Sequence, residues 1–207
     1  MDETTSGPAG GIRGRFRAQV RDEVKRTALR QLAEGGPQAL SVNAIAKELG
    51  VSGPALYRYF ANRDELLTEL VRDAYHDLAA ALRAAAGGDL APADRLRAVG
   101  AAYRDWALRQ PHRYRLLYTA PLPGYDTHAE QLVRAAQESM DVVRDVLGDL
   151  VPGDDPLPGV MLWSRLHGLV DLEIEGNFAS MRLDPALLFR RELDASLREL
   201  TDAARPA

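Results

Sequence analysis

Apolar residues recur every three to four positions along almost the whole chain, and strand-like alternation is nearly absent. The pattern predicts an all-α fold of nine helices. The first runs from about Arg17 to Glu34: Phe16, Val20 and Val24 are spaced by four, and Ala28, Leu29 and Leu32 continue the stripe. Gly35-Gly36 ends it, because glycine enters the left-handed C-terminal conformation at little cost. Ser41 is a good N-cap for a helix over Val42–Leu49, which Gly50 closes. Ser52 caps another over Gly53–Phe60, with Pro54 tolerated in the first turn. Asn62 opens a long helix to about Ala86, and Glu65, three residues on, makes a capping box with Asn in the Ser/Thr place. Gly87-Gly88 and Pro92 mark a break. Five further helices are predicted at about 93–110, 111–119, 127–148, 157–178 and 185–204, with Pro111 separating the first two. On 127–148, Leu132, Val133, Ala136, Met140, Val143 and Leu147 share one side, a stripe read as core first and ligand wall second.

Composition narrows the class. The chain has 207 residues, 46% hydrophobic and 27% charged, which is ordinary for a globular protein. It contains no run of 18 apolar residues, so no membrane-spanning helix is expected. The opening MDETTSGPAGGI lacks the apolar stretch of a secretory signal and is read as a flexible tail over residues 1–12. The absence of cysteine excludes disulfides, thiolate catalysis and zinc ribbons. A cytoplasmic location is the expectation.

Charge divides the chain. Residues 13–63 carry ten Lys/Arg and four acids, a net +6, whereas residues 64–207 carry 16 Arg and 24 acids, a net −8. A basic head on an acidic body suggests a polyanion partner for the head alone.

The stretch SVNAIAKELGVSGPALYRYFANRDELL, Ser41 to Leu67, carries the functional signal. Two short helices are joined by Glu48-Leu49-Gly50-Val51-Ser52, and Ile45, Ala46, Leu49, Val51 and Leu56 can pack them together. Small Ala46 and flexible Gly50 allow a close crossing. This is the physical recipe of a helix-turn-helix whose second helix enters the DNA major groove. Gly35, Ser41, Ile45-Ala46, Gly50-Val51-Ser52, Leu56-Tyr57, Phe60 and Glu65-Leu66-Leu67 resemble the DNA-binding head of the TetR family of one-component regulators, over roughly residues 17–70. Four positions depart from its commonest pattern: Ser41 stands for Thr, Pro54 for Gly, Tyr59 for His and Arg63 for Lys. Trp163, His167 and Gly168, in MLWSRLHGLVDL, resemble the Trp-His-Gly signature of one branch of TetR ligand domains. The resemblance implies a nine-helix fold with a flexible tail (1–12), a helix-turn-helix domain (13–61) and a ligand-binding and dimerisation domain (62–207).

The family implies base-edge contacts from Gly53, Pro54, Ala55, Tyr57 and Arg58. Arg58 is the one long donor among them, read either as a guanine contact or as a phosphate clamp. Ser41, Lys47, Tyr59 and Arg63 are phosphate candidates. Arg13, Arg15 and Arg17 form an arm that either touches DNA or stays solvated. In the body, Tyr103, Trp106, Tyr118, Met140, Trp163 and His167 are candidate pocket residues, with His167 also read as part of a core network. The histidines His76, His112, His128 and His167 lack metal-site spacing, so neither a metal nor a cofactor is expected. Glu173 falls inside an apolar arc; pairing with an arginine of a second subunit, a pocket position and solvent all remain open. Phe189, Leu193, Leu197 and Leu200 share one arc of the last helix, and the family implies dimerisation through 157–178 and 185–204.

The leading reading is a homodimeric repressor that binds a double-stranded DNA operator and releases it on binding a small, largely apolar molecule. The rivals are a helical enzyme or carrier that kept the head, and an architectural DNA-binding protein without ligand. No nucleophile–base spacing or phosphate loop supports the enzyme. Arg58→Ala is expected to weaken operator binding by about 1–3 kcal/mol and to relax preference at one position per half-site. Arg63→Ala is expected instead to weaken all sequences equally, with a shallower salt dependence. Competition binding against single-base operator variants separates the two; a uniform loss for Arg58→Ala makes it a phosphate contact.

Overall fold

A computed structural model describes residues 11–119, 124–151, 153 and 155–203. Among them are ten α-helices, a 3-10 turn at Pro37–Ala39 and no strand. The all-α class holds. The helices are α1 (Ile12–Gly35), α2 (Val42–Glu48), α3 (Gly53–Leu56), α4 (Arg63–Ala86), α5 (Pro92–Arg109), α6 (Pro111–Tyr118), α7 (Glu130–Gly148), α8 (Leu157–Ile174), α9 (Asn177–Met181) and α10 (Pro185–Ala203).

Three differences from the expected elements have local causes. The ninth expected helix becomes a tenth because Gly176 takes a left-handed φ of 74°, which ends the segment expected at 157–178 and lets α9 restart after it. The recognition helix α3 closes at Leu56 rather than Phe60, and Tyr57–Tyr59 continue as a turn. Helix α1 starts at Ile12, so the basic arm is helical, and Phe16, expected on the buried stripe, is 62% exposed. Most of the expected tail, residues 1–10, lies outside the described residues.

The described residues cluster into two compact units. One takes the chain through Leu70 together with Gly124 and Tyr125; the other takes the remainder from Val71. The first buries Val24, Ala28 and Leu32 of α1, Ile45 and Ala46 of α2, then Leu56, Phe60, Leu66, Leu67 and Leu70. Val51, expected in that core, is exposed. Gly35 is fixed by close approach, since a Cβ there would lie 2.6 Å from that of Ala39.

The second unit packs α4, α5, α7, α8 and α10 around Leu78, Val99, Trp106, Tyr114, Leu166 and Phe189. Helices α8 and α10 pack together, and α10 also lies against α5. At Gly100 an added Cβ would sit 2.8 Å from a methyl of Leu193, so the α5–α10 approach needs glycine. The side chains expected at a dimer interface take part in this packing. Phe189, Leu193 and Leu197 are buried in their own chain, and Leu200 packs half-buried against the same core. An apolar arc on a last helix has to be covered, and α5 and α8 of the same chain cover it.

Replacing Leu193 and Leu197 by Glu is therefore expected to abolish cooperative unfolding rather than yield a folded monomer. The milder Leu193→Ala should cost about 2–5 kcal/mol. Urea denaturation followed by circular dichroism measures both; a double Glu variant with wild-type stability would contradict this packing.

Candidate functional sites

The helix-turn-helix is built by caps. The Ser41 hydroxyl accepts from the Ala44 amide at 3.2 Å, and the Ser41 amide donates to Gln31 at 3.0 Å. The Ser52 hydroxyl accepts from the Ala55 amide at 3.3 Å. Between them Gly50 adopts φ 67°, the left-handed turn conformation. Of the DNA candidates, Pro54, Tyr57, Arg58 and Lys47 are exposed, while Gly53, Ala55, Tyr59, Ser41 and Arg63 are half-buried. The Ser41 hydroxyl already serves its cap.

Two arginines of α1 hold the end of the recognition segment. Arg17 donates to the Arg58 carbonyl at 3.2 Å, and its guanidinium lies 5.9 Å from the Tyr59 ring centre. Arg21 donates to the Tyr59 carbonyl, pairs with Glu69 of α4, and stacks 4.3 Å from the Phe60 ring centre. The α3 carbonyls of Gly53, Ala55 and Leu56 accept from amides of Tyr57–Phe60, and α1 supplies donors to the carbonyls of the turn that follows. Arg17, read from the sequence as part of an arm that either touches DNA or stays solvated, contacts the residues that present Arg58. Nothing in the sequence singles out Arg21, because an arginine four residues after another is ordinary on a helix surface.

The α4 start follows the expected box. Asn62 Oδ1 accepts from the Glu65 amide at 2.7 Å, and the Glu65 carboxylate accepts from the Ala61 amide at 2.5 Å, one residue earlier than in the usual form.

The second unit holds a cavity of about 350 Å³. Helix α4 contributes Tyr75, Leu78 and Leu82 to its wall; α5, α6, α7 and α8 supply the remainder. Four candidates, Tyr103, Tyr118, Met140 and Trp163, line it, as do Ala136 and Val143 of the α7 stripe. Trp106 and His167 do not. Trp106 is buried in the core and donates its indole N–H to Asp77 at 3.0 Å; Arg113 donates to the same carboxylate oxygen at 2.9 Å.

His167 lies behind the wall. Its Nδ1 lies 2.8 Å from the Tyr114 hydroxyl and 3.3 Å from that of Tyr103, the Tyr114 hydroxyl donates to the His167 carbonyl at 3.3 Å, and the ring stacks on Trp163 at 5.2 Å. Burial pushes its pKa below the usual histidine value, so the ring is neutral at pH 7. Glu173 is bound bidentately by Arg104 of its own chain, at 2.7 and 2.5 Å, which closes the three options left by the sequence. Tyr114, Asp77 and Arg104 were not foreseen; their partners lie 29 to 69 residues away in sequence.

The family model "Bacterial regulatory proteins, tetR family" matches residues 26–70, and "Tetracyclin repressor-like, C-terminal domain" matches residues 96–196. The chain is 32% identical to the HTH-type transcriptional regulator Rv1816 of Mycobacterium tuberculosis, over 86% of this chain and 91% of that protein. It is similar to the crystal structure of the regulatory protein SCO4313, with 43% identity, TM-score 0.78, and 88% and 97% of the two chains covered. A protein of unknown function from Rhodococcus sp. RHA1 shares the fold at 24% identity and TM-score 0.77, over 97% and 100% of the two chains.

Proposed function

Because the chain belongs to the TetR family of DNA-binding transcription regulators, and is thereby not an enzyme, we propose that it is a homodimeric repressor. It works in the cytoplasm on an inverted-repeat operator and leaves it when a small apolar molecule fills the cavity. Among the described residues no helix is long and apolar enough to cross a membrane. The observation that carries the reading is α4. This single helix begins with Arg63 beside the recognition segment and later sets Tyr75, Leu78 and Leu82 in the cavity wall.

Base contacts come from Tyr57 and Arg58, with the backbone of Gly53, Pro54 and Ala55 approaching closely, and phosphate contacts from Lys47, Tyr59 and Arg63. A ligand empties the operator only if it binds one head spacing better than the other. A few kcal/mol of such preference suffice. Filling the cavity displaces the α4 wall, and the helix carries that displacement to its Arg63 end.

Dimerisation uses the outward side of α8 and α10 rather than the buried arc of α10. Leu157, Met161 and Leu172 of α8 are exposed at helical spacing, a Cβ at Gly168 would meet nothing within 4 Å, and Leu187 of α10 is exposed as well. A large exposed apolar face is characteristic of an interface. Two-fold symmetry then sets the recognition helices about one DNA turn apart.

Met161→Glu combined with Leu172→Glu is expected to give a folded monomer with little operator affinity, read by light scattering and DNA anisotropy. A variant that stays dimeric puts the interface elsewhere.

The function itself is tested by fluorescence anisotropy on the chain's own upstream DNA, followed by a DNA-release titration. Trp163→Ala should leave DNA binding intact and raise the ligand concentration needed for release by about tenfold or more, on the scale of a lost aromatic contact. Lost DNA binding with unchanged ligand response would make Trp163 core packing and sink this placement of the ligand.

A further inference from the structure

The cavity lining is polar in one place only. Leu78, Leu82, Leu96, Val99 and Val143 make most of the wall, and no Lys, Arg, Asp, Glu or His lines it among the described residues. Two of its polar side chains are already spent on backbone carbonyls: Ser139 donates to Tyr75 at 3.3 Å, and the Tyr75 hydroxyl to Leu117 at 3.4 Å. The others, Tyr103, Tyr118 and Trp163, form one aromatic cluster with Tyr114 and His167. The Tyr118 ring lies 6.0 Å from Trp163 and 4.9 Å from Tyr114, and Tyr114 lies 6.5 Å from Tyr103.

Most of this cluster is satisfied from within. The Tyr114 hydroxyl lies 2.8 Å from His167 Nδ1 and donates to the His167 carbonyl at 3.3 Å, and the Tyr103 hydroxyl lies 3.3 Å from the same Nδ1. The Tyr118 oxygen accepts from Tyr103 and from the Trp163 N–H. The Tyr118 hydroxyl, in the cavity wall, keeps its own proton to offer.

The cluster is also uncharged. Burial pushes the Tyr118 phenol up to about 12 and those of Tyr103 and Tyr114 higher still, while it pushes His167 down. Asp171 acts on Tyr114 and His167 as a negative charge, raising both. An anion seated here would lose its hydration, find no countercharge and feel that negative field. A cation would lose its hydration and meet no carboxylate in the lining.

Resting on the reading of this cavity as the ligand site, we propose that it selects an uncharged molecule, with an apolar body and a single hydroxyl or carbonyl seated among Tyr103, Tyr118 and Trp163. At roughly 30 Å³ for a water-sized group, the volume holds on the order of a dozen heavy atoms. The polar group accepts from the Tyr118 hydroxyl, and its apolar body lies along Leu78, Val99 and Val143.

Three probes share one body and differ in charge: n-decanol, decanoate and decyltrimethylammonium. Calorimetric titration of the full-length wild-type protein at pH 7 is expected to give n-decanol a Kd at least about tenfold below that of either ion. Tyr118→Phe, which keeps the ring, should weaken n-decanol several-fold and leave the ions unchanged. In a Trp106→Phe variant Trp163 is the remaining indole, and its fluorescence should respond to n-decanol. Equal or tighter binding of either ion, no binding of any probe, or a bound n-decanol that leaves Trp163 unperturbed overturns the proposal. DNA release is read separately. Binding of n-decanol without release upholds the ligand class and counts against induction; tighter binding of an ion with release overturns the ligand class and leaves induction standing.

Discussion

Everything in this fold depends on α4 being one uninterrupted helix. Leu66, Leu67 and Leu70 are buried in the first unit, and Ala74, Leu78 and Leu82 in the second, so a single apolar stripe serves two cores. No Gly or Pro occurs between Arg63 and Ala86. Sharp kinks arise almost always at such residues or at an inserted bulge, so the helix has no built-in joint. Its first turn is fixed by Asn62 and Glu65 and its second by the Glu69–Arg21 pair; further along, Trp106 and Arg113 hold its Asp77. Residues of the cavity wall and the Arg63 end thus belong to one continuous helix.

The second unit solves a polar problem around its cavity. Arg104–Glu173, Tyr114–His167 and Trp106–Asp77–Arg113 each give a side chain in an apolar setting its partner. Such pairs add little net stability, but removing one member leaves a desolvated group behind. The cavity stands beside these networks without a charge in its own lining. An apolar void lowers stability in proportion to its volume. A molecule of matching chemistry restores that loss, and through linkage stabilises whichever conformation has the better-formed cavity.

The helical periodicity, the Ser41, Ser52 and Asn62 caps and the head motif were legible in the sequence because each rests on neighbours within four residues. What was not legible depends on which face meets which helix. The final helix showed an apolar arc, but an arc does not say whether its own chain or another covers it; Gly100 opposite Leu193 decides that, 93 positions away. Trp106 and Trp163 look alike in sequence, yet one closes onto Asp77 and the other onto the cavity. On α7 Leu132 and Leu147 of the expected stripe are buried, but between them the buried line runs through Ala135, Ser139, Val142 and Val146, one position off the expected one. The expected residues Ala136, Met140 and Val143 are apolar because they face a cavity, and a cavity wall and a core have the same composition. Glu173 stood out correctly as a carboxylate in an apolar arc, but its partner Arg104 belongs to another helix.

Helix α8 shows why such ambiguities concentrate where function does. Its apolar residues are spread around the helix rather than gathered in one stripe, so orientation cannot be read from its pattern. Three sides carry three duties. Leu162, Leu166 and Val170 are buried in the core, Trp163 stands in the cavity wall with His167 stacked behind it, and Met161, Gly168 and Leu172 look outward. Trp163 and Met161 are two residues apart, so they project to different sides of the same turn. One turn of a single helix therefore carries both a residue of the cavity wall and a residue of the exposed apolar face.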